Sequence, residues 1–126
     1  MNLSKEGLLF ILSKAEDEIK EVGEARVVIK IRLAEDGVNN WVVGLLSQGR
    51  FDSLVSFVYS IGVDSFKRST LLKRLNQGKI NEAASEFSRW IYTDAVRDPS
   101  LITRREEEKE MFLTPSQSQT PSPEGE

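Results

Sequence analysis

Residues 51–66 read FDSLVSFVYSIGVDSF, an apolar run that stops at a glycine and an aspartate. Phe51, Leu54, Val55, Val58 and Ile61 recur at helical intervals and share one face of a helix. Ser47 stands in an N-cap position and Gly62 where helices commonly stop, so the spacing predicts a helix from Ser47 to Ile61. Gly62 is read as a stop signal, not as a contact for a substrate. A helix this apolar has to be wrapped by others, and the rest of the chain supplies them.

Toward the N-terminus, Leu8, Ile11, Leu12, Ala15, Ile19 and Val22 make one stripe, predicting a single helix that ends at Gly23. Residues 24–36 are ambiguous. Ile29, Ile31 and Leu33 alternate with Lys30 and Arg32 as in a half-buried strand, yet Val27, Ile31, Ala34, Val38 and Trp41 form a helical face. Helix is favoured, because a lone strand has no partner here. Toward the C-terminus a short helix is expected from about Ser69 to Asn76, closing at Gly78. Another with Ala83, Ala84, Phe87 and Trp90 begins near Asn81, and a last one opens at Asp98-Pro99 and runs through Leu101, Ile102, Arg105 and Phe112. The fold class is all-α, with one helical domain over 1–113. Residues 114–126, TPSQSQTPSPEGE, offer nothing apolar to anchor them and are expected to form a disordered Ser/Pro-rich tail.

Composition narrows the chemistry. The 126 residues include no cysteine and no histidine, so a disulfide framework, a thiolate zinc site and an imidazole base are excluded, and neither a metal nor a cofactor is expected. Catalysis would have to use carboxylates, hydroxyls or lysines. The apolar stretch Leu8–Leu12 is too short to span a membrane or to form a signal-peptide core, which points to a cytoplasmic protein without a membrane partner. The net charge is −3. The basic stretch FKRSTLLKRLNQGK from Phe66 reads as a solvated helix face and not as a nucleic-acid patch, because the domain as a whole is acidic and carries no nucleic-acid motif.

Three pieces carry a resemblance: LSQGRFDSLVSFVYSIGVDSF, then STLLKRLNQGKINEAASEFSRWIY, then RREEEKEMF. In order and approximate spacing they resemble the C-terminal helical lobe of phage-type lysozymes, the endolysins of glycoside hydrolase family 24. LSKEGLLFI also looks like that family's opening helix, and AEDGVNNWV like the helix joining its two lobes. The resemblance implies a lysozyme-like helical lobe. In the family the first helix ends in a Glu-Gly pair bearing the general acid, and a β-hairpin with an Asp and a Thr follows. Here the alignment puts Ala15 or Glu16 at the acid position with Asp17 after it, and EIKEVGEARVV follows in place of a hairpin.

Carboxylate glycosidases need a protonated acid and a second carboxylate about 5–9 Å away. Glu6, Glu16 and Asp17 are the catalytic candidates if the protein is active, but each reads as an ordinary solvated helix charge. Arg104 and Arg105 match the family's late arginine pair and are expected to bridge helices. The resulting expectation is a catalytically inactive phage or prophage scaffold, not an enzyme, that binds and inhibits a host or defence protein in the cytoplasm. Phe10, Trp41, Tyr59 and Tyr92 are the candidates for the binding surface. The alternative is a peptidoglycan-binding protein or residual muramidase acting in host lysis.

Overall fold

The computed structural model describes residues 1–115. Its helices are α1 (Lys5–Lys14), α2 (Glu16–Val22), α3 (Glu24–Trp41), α4 (Gln48–Ile61), α5 (Val63–Lys67), α6 (Thr70–Asn76), α7 (Ile80–Ser85) and α8 (Pro99–Leu113). A 3-10 turn, Glu86–Arg89, continues α7, and a two-residue hairpin pairs β1 (Tyr92–Thr93) with β2 (Val96–Arg97). The all-α architecture expected from the sequence is thus present. Most of the tail expected to be disordered, 116–126, lies outside the described residues.

Helix α4 is the axis of the fold, packed against α1, α3, α5 and α8. All nine residues from Phe51 to Tyr59 are buried, not only the predicted stripe, as expected of a helix surrounded on every side. Its polar members are satisfied. Ser53 Oγ donates to the Glu108 carbonyl at 2.9 Å, Ser56 Oγ donates to the Glu108 carboxylate, and the buried Asp52 accepts from the Ser4 backbone N–H, the Ser4 hydroxyl and Gln48. Phe57 anchors an aromatic cluster, edge-on to Phe87, Trp90 and Phe66 with ring centroids 5.1, 5.9 and 6.4 Å away. Trp90 is only partly buried, at the edge of the core.

The cap at Ser47 and the helix start at Asp98-Pro99 form as the sequence suggests, and Ser69 caps α6 as well, each side-chain oxygen accepting from a first-turn N–H. Two local expectations are corrected. The single helix from Leu8 to Val22 is broken at Ala15 (φ −108°, ψ 12°), where the Ala15 N–H turns back to the Leu12 carbonyl. The break lets Ala15 bury itself in the core while α2 swings along α3. The hairpin at 92–97 was not foreseen, because its turn holds Asp94 (φ 52°) and Ala95 (φ 68°) where such turns usually use Asn-Gly. Residues 24–36 are helical throughout.

Candidate functional site

Four helices meet around one partly buried carboxylate. Glu18, from α2, accepts from the Tyr59 hydroxyl of α4 at 2.6 Å and from Lys30 Nζ of α3 at 3.1 Å. Lys30 Nζ also sits 4.5 Å from the centre of the Tyr59 ring, and the Arg104 guanidinium of α8 lies 5.9 Å from it. The Tyr59 hydrogen bond, helped by Lys30 and Arg104, holds Glu18 below the usual glutamate range against the opposing effect of burial. Burial, and then the adjoining Glu18 carboxylate, pushes the Tyr59 hydroxyl above its ordinary range. The charges acting on Glu18 are both positive, so it is an ionised acceptor and not a proton donor.

Behind this group lies a buried ionic network. Glu108, fully buried, accepts from Arg105 at 2.7 Å and from Arg104 at 3.1 Å. Arg104 also reaches the Ser56 carbonyl, and Arg105 the Trp90 carbonyl and the Ser60 hydroxyl. Burial lowers the proton affinity of Arg105, while Glu108 works to keep it charged. The helix-bridging role expected of Arg104 and Arg105 is visible in these contacts. Two hollows are lined by members of these groups. One of about 450 Å³ is lined by Glu18, Val22, Arg26, Ile29, Lys30 and Leu33. The other, about 430 Å³, lies against Ser60, Trp90, Tyr92 and Arg105.

The residues singled out from sequence fall in different places. Glu6 is exposed on α1, and Glu16 and Asp17 are exposed in the first turn of α2. Tyr59 belongs to the Glu18 group and is buried, while Tyr92 stands exposed at the rim of the second hollow. Phe10 packs partly against the core under Lys14, and Trp41 lies half-exposed beneath Lys67, both lining neither hollow. Sequence reasoning passed over Glu18 and Lys30. The available signal was that Glu18 lies seven residues after Ile11 and three after Ala15, an acid on the apolar face of its helix. Among the described residues no cluster of three or more His, Cys, Asp or Glu is placed to hold a metal, and no helix is long and apolar enough to cross a membrane.

The chain has relatives. A family model described as phage lysozyme matches residues 13–108. The chain belongs to the phage lysozyme family. The endolysin of Salmonella phage P22 is 30% identical over 109 residues, 86% of this chain and 68% of its own. The endolysin of Bacillus phage B103 is 42% identical over 79 residues, but these make up 63% of this chain and only 30% of that protein. Among solved structures, the muramidase domain of SpmX from Asticaccaulis excentricus superposes with a TM-score of 0.68 at 36% identity, over 75% of this chain and 67% of that one. The chain thus spans about a third of the first curated relatives it matches. These relatives overturn the expectation of a protein that is not an enzyme. Endolysin and muramidase are names of enzymes, and these are the proteins the chain resembles.

Proposed function

We propose that this member of the phage lysozyme family acts on peptidoglycan as a glycosidase, with Glu18 as the carboxylate that faces the scissile sugar. The placement of Glu18 carries this reading. Of the acidic side chains on α1 and α2 it alone is drawn partly out of solvent, and it is given a phenol and a cation as partners. Glycoside hydrolysis passes through an oxocarbenium-like transition state, and an ionised carboxylate held beside the ring stabilises that developing positive charge. Tyr59 and Lys30 keep Glu18 both ionised and oriented. A proton must also reach the leaving oxygen, which in carboxylate glycosidases is the task of a separate acid.

The test incubates purified protein with peptidoglycan sacculi between about pH 4 and pH 8, a span that reaches the ordinary glutamate range, and follows muropeptide release by chromatography. Wild-type release that falls at least tenfold in Glu18→Gln and persists in Glu16→Gln supports the assignment. Absence of release at every protein concentration, or equal release from Glu18→Gln, overturns it.

A second reading adds a protein partner in the host cytoplasm, the host or defence protein expected from sequence. Ile29 (58% exposed) and Leu33 (57% exposed) form an uncovered apolar strip on α3, the kind of surface partners cover. Affinity purification from infected cells with wild type and Ile29→Asp tests it, and identical co-purifying proteins from both would remove the strip from consideration.

A further inference from the structure

Helix α3 carries two stripes. Val27, Ile31, Ala34 and Val38 face the core, while Arg26, Ile29, Leu33 and Asp36, at intervals of three, four and three, run along its outer side and are exposed. Alternating steps of three and four are the seam spacing of helices that pair. Ile29 and Leu33 each leave more than half of their surface to water. The charges that bracket them are unspent, since no ion pair among the described residues involves Arg26 or Asp36.

The order of these four residues is self-complementary. When two copies of α3 lie antiparallel about a twofold axis at the level of Ile31, Ile29 of each copy meets Leu33 of the other, and Arg26 meets Asp36. Both matches fall in one register, because the members of each pair stand equally far from Ile31. A parallel pair in register sets Arg26 against Arg26 and Asp36 against Asp36, so the charges select the antiparallel arrangement. The other cations of this segment do not oppose it. Lys30 is bonded to Glu18, and Arg32 lines a separate hollow together with Glu24 and Glu35. An unrelated surface has no reason to carry this pattern in reverse, so the register favours a second copy of the chain over a host protein.

We propose that α3 is a homodimer interface, two copies pairing antiparallel through Ile29 and Leu33 with an ion pair between Arg26 and Asp36 at each end. With two apolar residues per copy at its centre, the contact belongs to the small, reversible class of interface, below about 1,200 Å². Arg26, Ile29 and Leu33 also line the hollow beside Glu18, so pairing covers that hollow and the dimer is a closed form of the protein. This consequence rests on the glycosidase reading, and the pairing itself does not.

Sedimentation equilibrium of the intact chain, over about 10 µM to 1 mM to bracket weak association and in dilute salt, where exposed charges are least screened, reads the mass directly. The expected result is a rise from the monomer mass of 14.2 kDa toward twice that value as concentration increases. Arg26→Asp and Asp36→Arg, both at exposed positions, each bring like charges together at both ends, and each is expected to need at least tenfold more protein to associate. An equimolar mixture of the two variants restores opposite charges at both ends and recovers association at wild-type concentrations, which variants that had lost their fold cannot do. A wild type that stays monomeric throughout, single variants that associate like the wild type, or a mixture no better than its components overturns the proposal. Mass alone is measured, so the pairing and the cleavage of peptidoglycan stand or fall separately.

Discussion

Gly7 lies so close to Asp52 that a Cβ built on it would stand 2.5 Å from the Asp52 carboxyl carbon. Asp52 cannot swing aside, since the Ser4 backbone, the Ser4 hydroxyl and Gln48 all hold it while it is buried in α4. The glycine that follows Glu6 is therefore needed for the docking of α1. Gly7→Ala is expected to cost about 1–3 kcal/mol through overpacking. Urea denaturation would measure it, and an unchanged midpoint would show that α1 is free to shift.

Phe87 and Trp90 look alike in sequence and differ in the fold. Phe87 is fully buried between Phe57 and Phe112, so Phe87→Ala is expected to cost roughly 3–5 kcal/mol. Trp90 keeps one side toward the second hollow, and Trp90→Ala should cost less, about 2 kcal/mol, in proportion to the smaller area it buries. Thermal melts of the two variants side by side check the order.

Removing Glu108 leaves two guanidiniums facing each other in the interior. Glu108→Gln is accordingly expected to lose about 3–5 kcal/mol, the usual result of taking one partner from a buried ionic group. Replacing Glu108 together with both arginines by apolar residues should recover much of the loss. A double-mutant cycle between positions 105 and 108 reads the coupling directly.

Glu18 makes stability depend on pH in a definite direction. Its folded-state proton affinity is depressed, so the stabilisation is complete above the ordinary glutamate value and drains away as pH falls through the folded one. Denaturation midpoints should hold steady near neutrality and decline below about pH 4.3, the reference value for glutamate. Asp98, held low chiefly by Ser100 and Thr93, contributes with the same sign. Glu18→Gln should therefore flatten the decline in part, and an unaltered profile would show that the Tyr59 and Lys30 contacts carry no net weight.

Local rules made much of the architecture legible in advance. Ser47, Ser69 and Asp98 cap helices because short polar side chains satisfy the N–H groups a helix start leaves open. Gly62 ends α4 because the chain must take a positive φ there, 90°, which glycine adopts without a steric penalty. The apolar spacing of residues 51–61 and 101–112 marked both segments as helices, and the order of three sequence pieces carried the resemblance to the family.

Tertiary structure decided the rest. The helix predicted through Val22 breaks at Ala15 because burying Ala15 and laying α2 along α3 outweighs one more turn of continuous helix, a balance that periodicity does not contain. The site was hidden for a related reason. Glu18, Lys30, Tyr59 and Arg104 are as far as 86 positions apart in the chain, from 18 to 104; Glu18 and Lys30 alone read as ordinary polar residues, and Tyr59 and Arg104 read as candidates for other roles, a binding surface and a helix bridge. What distinguishes them is proximity: a hydrogen bond and two positive charges act on one carboxylate only after four helices have packed, and the strength of those effects falls with distance through space, of which distance along the sequence is no measure.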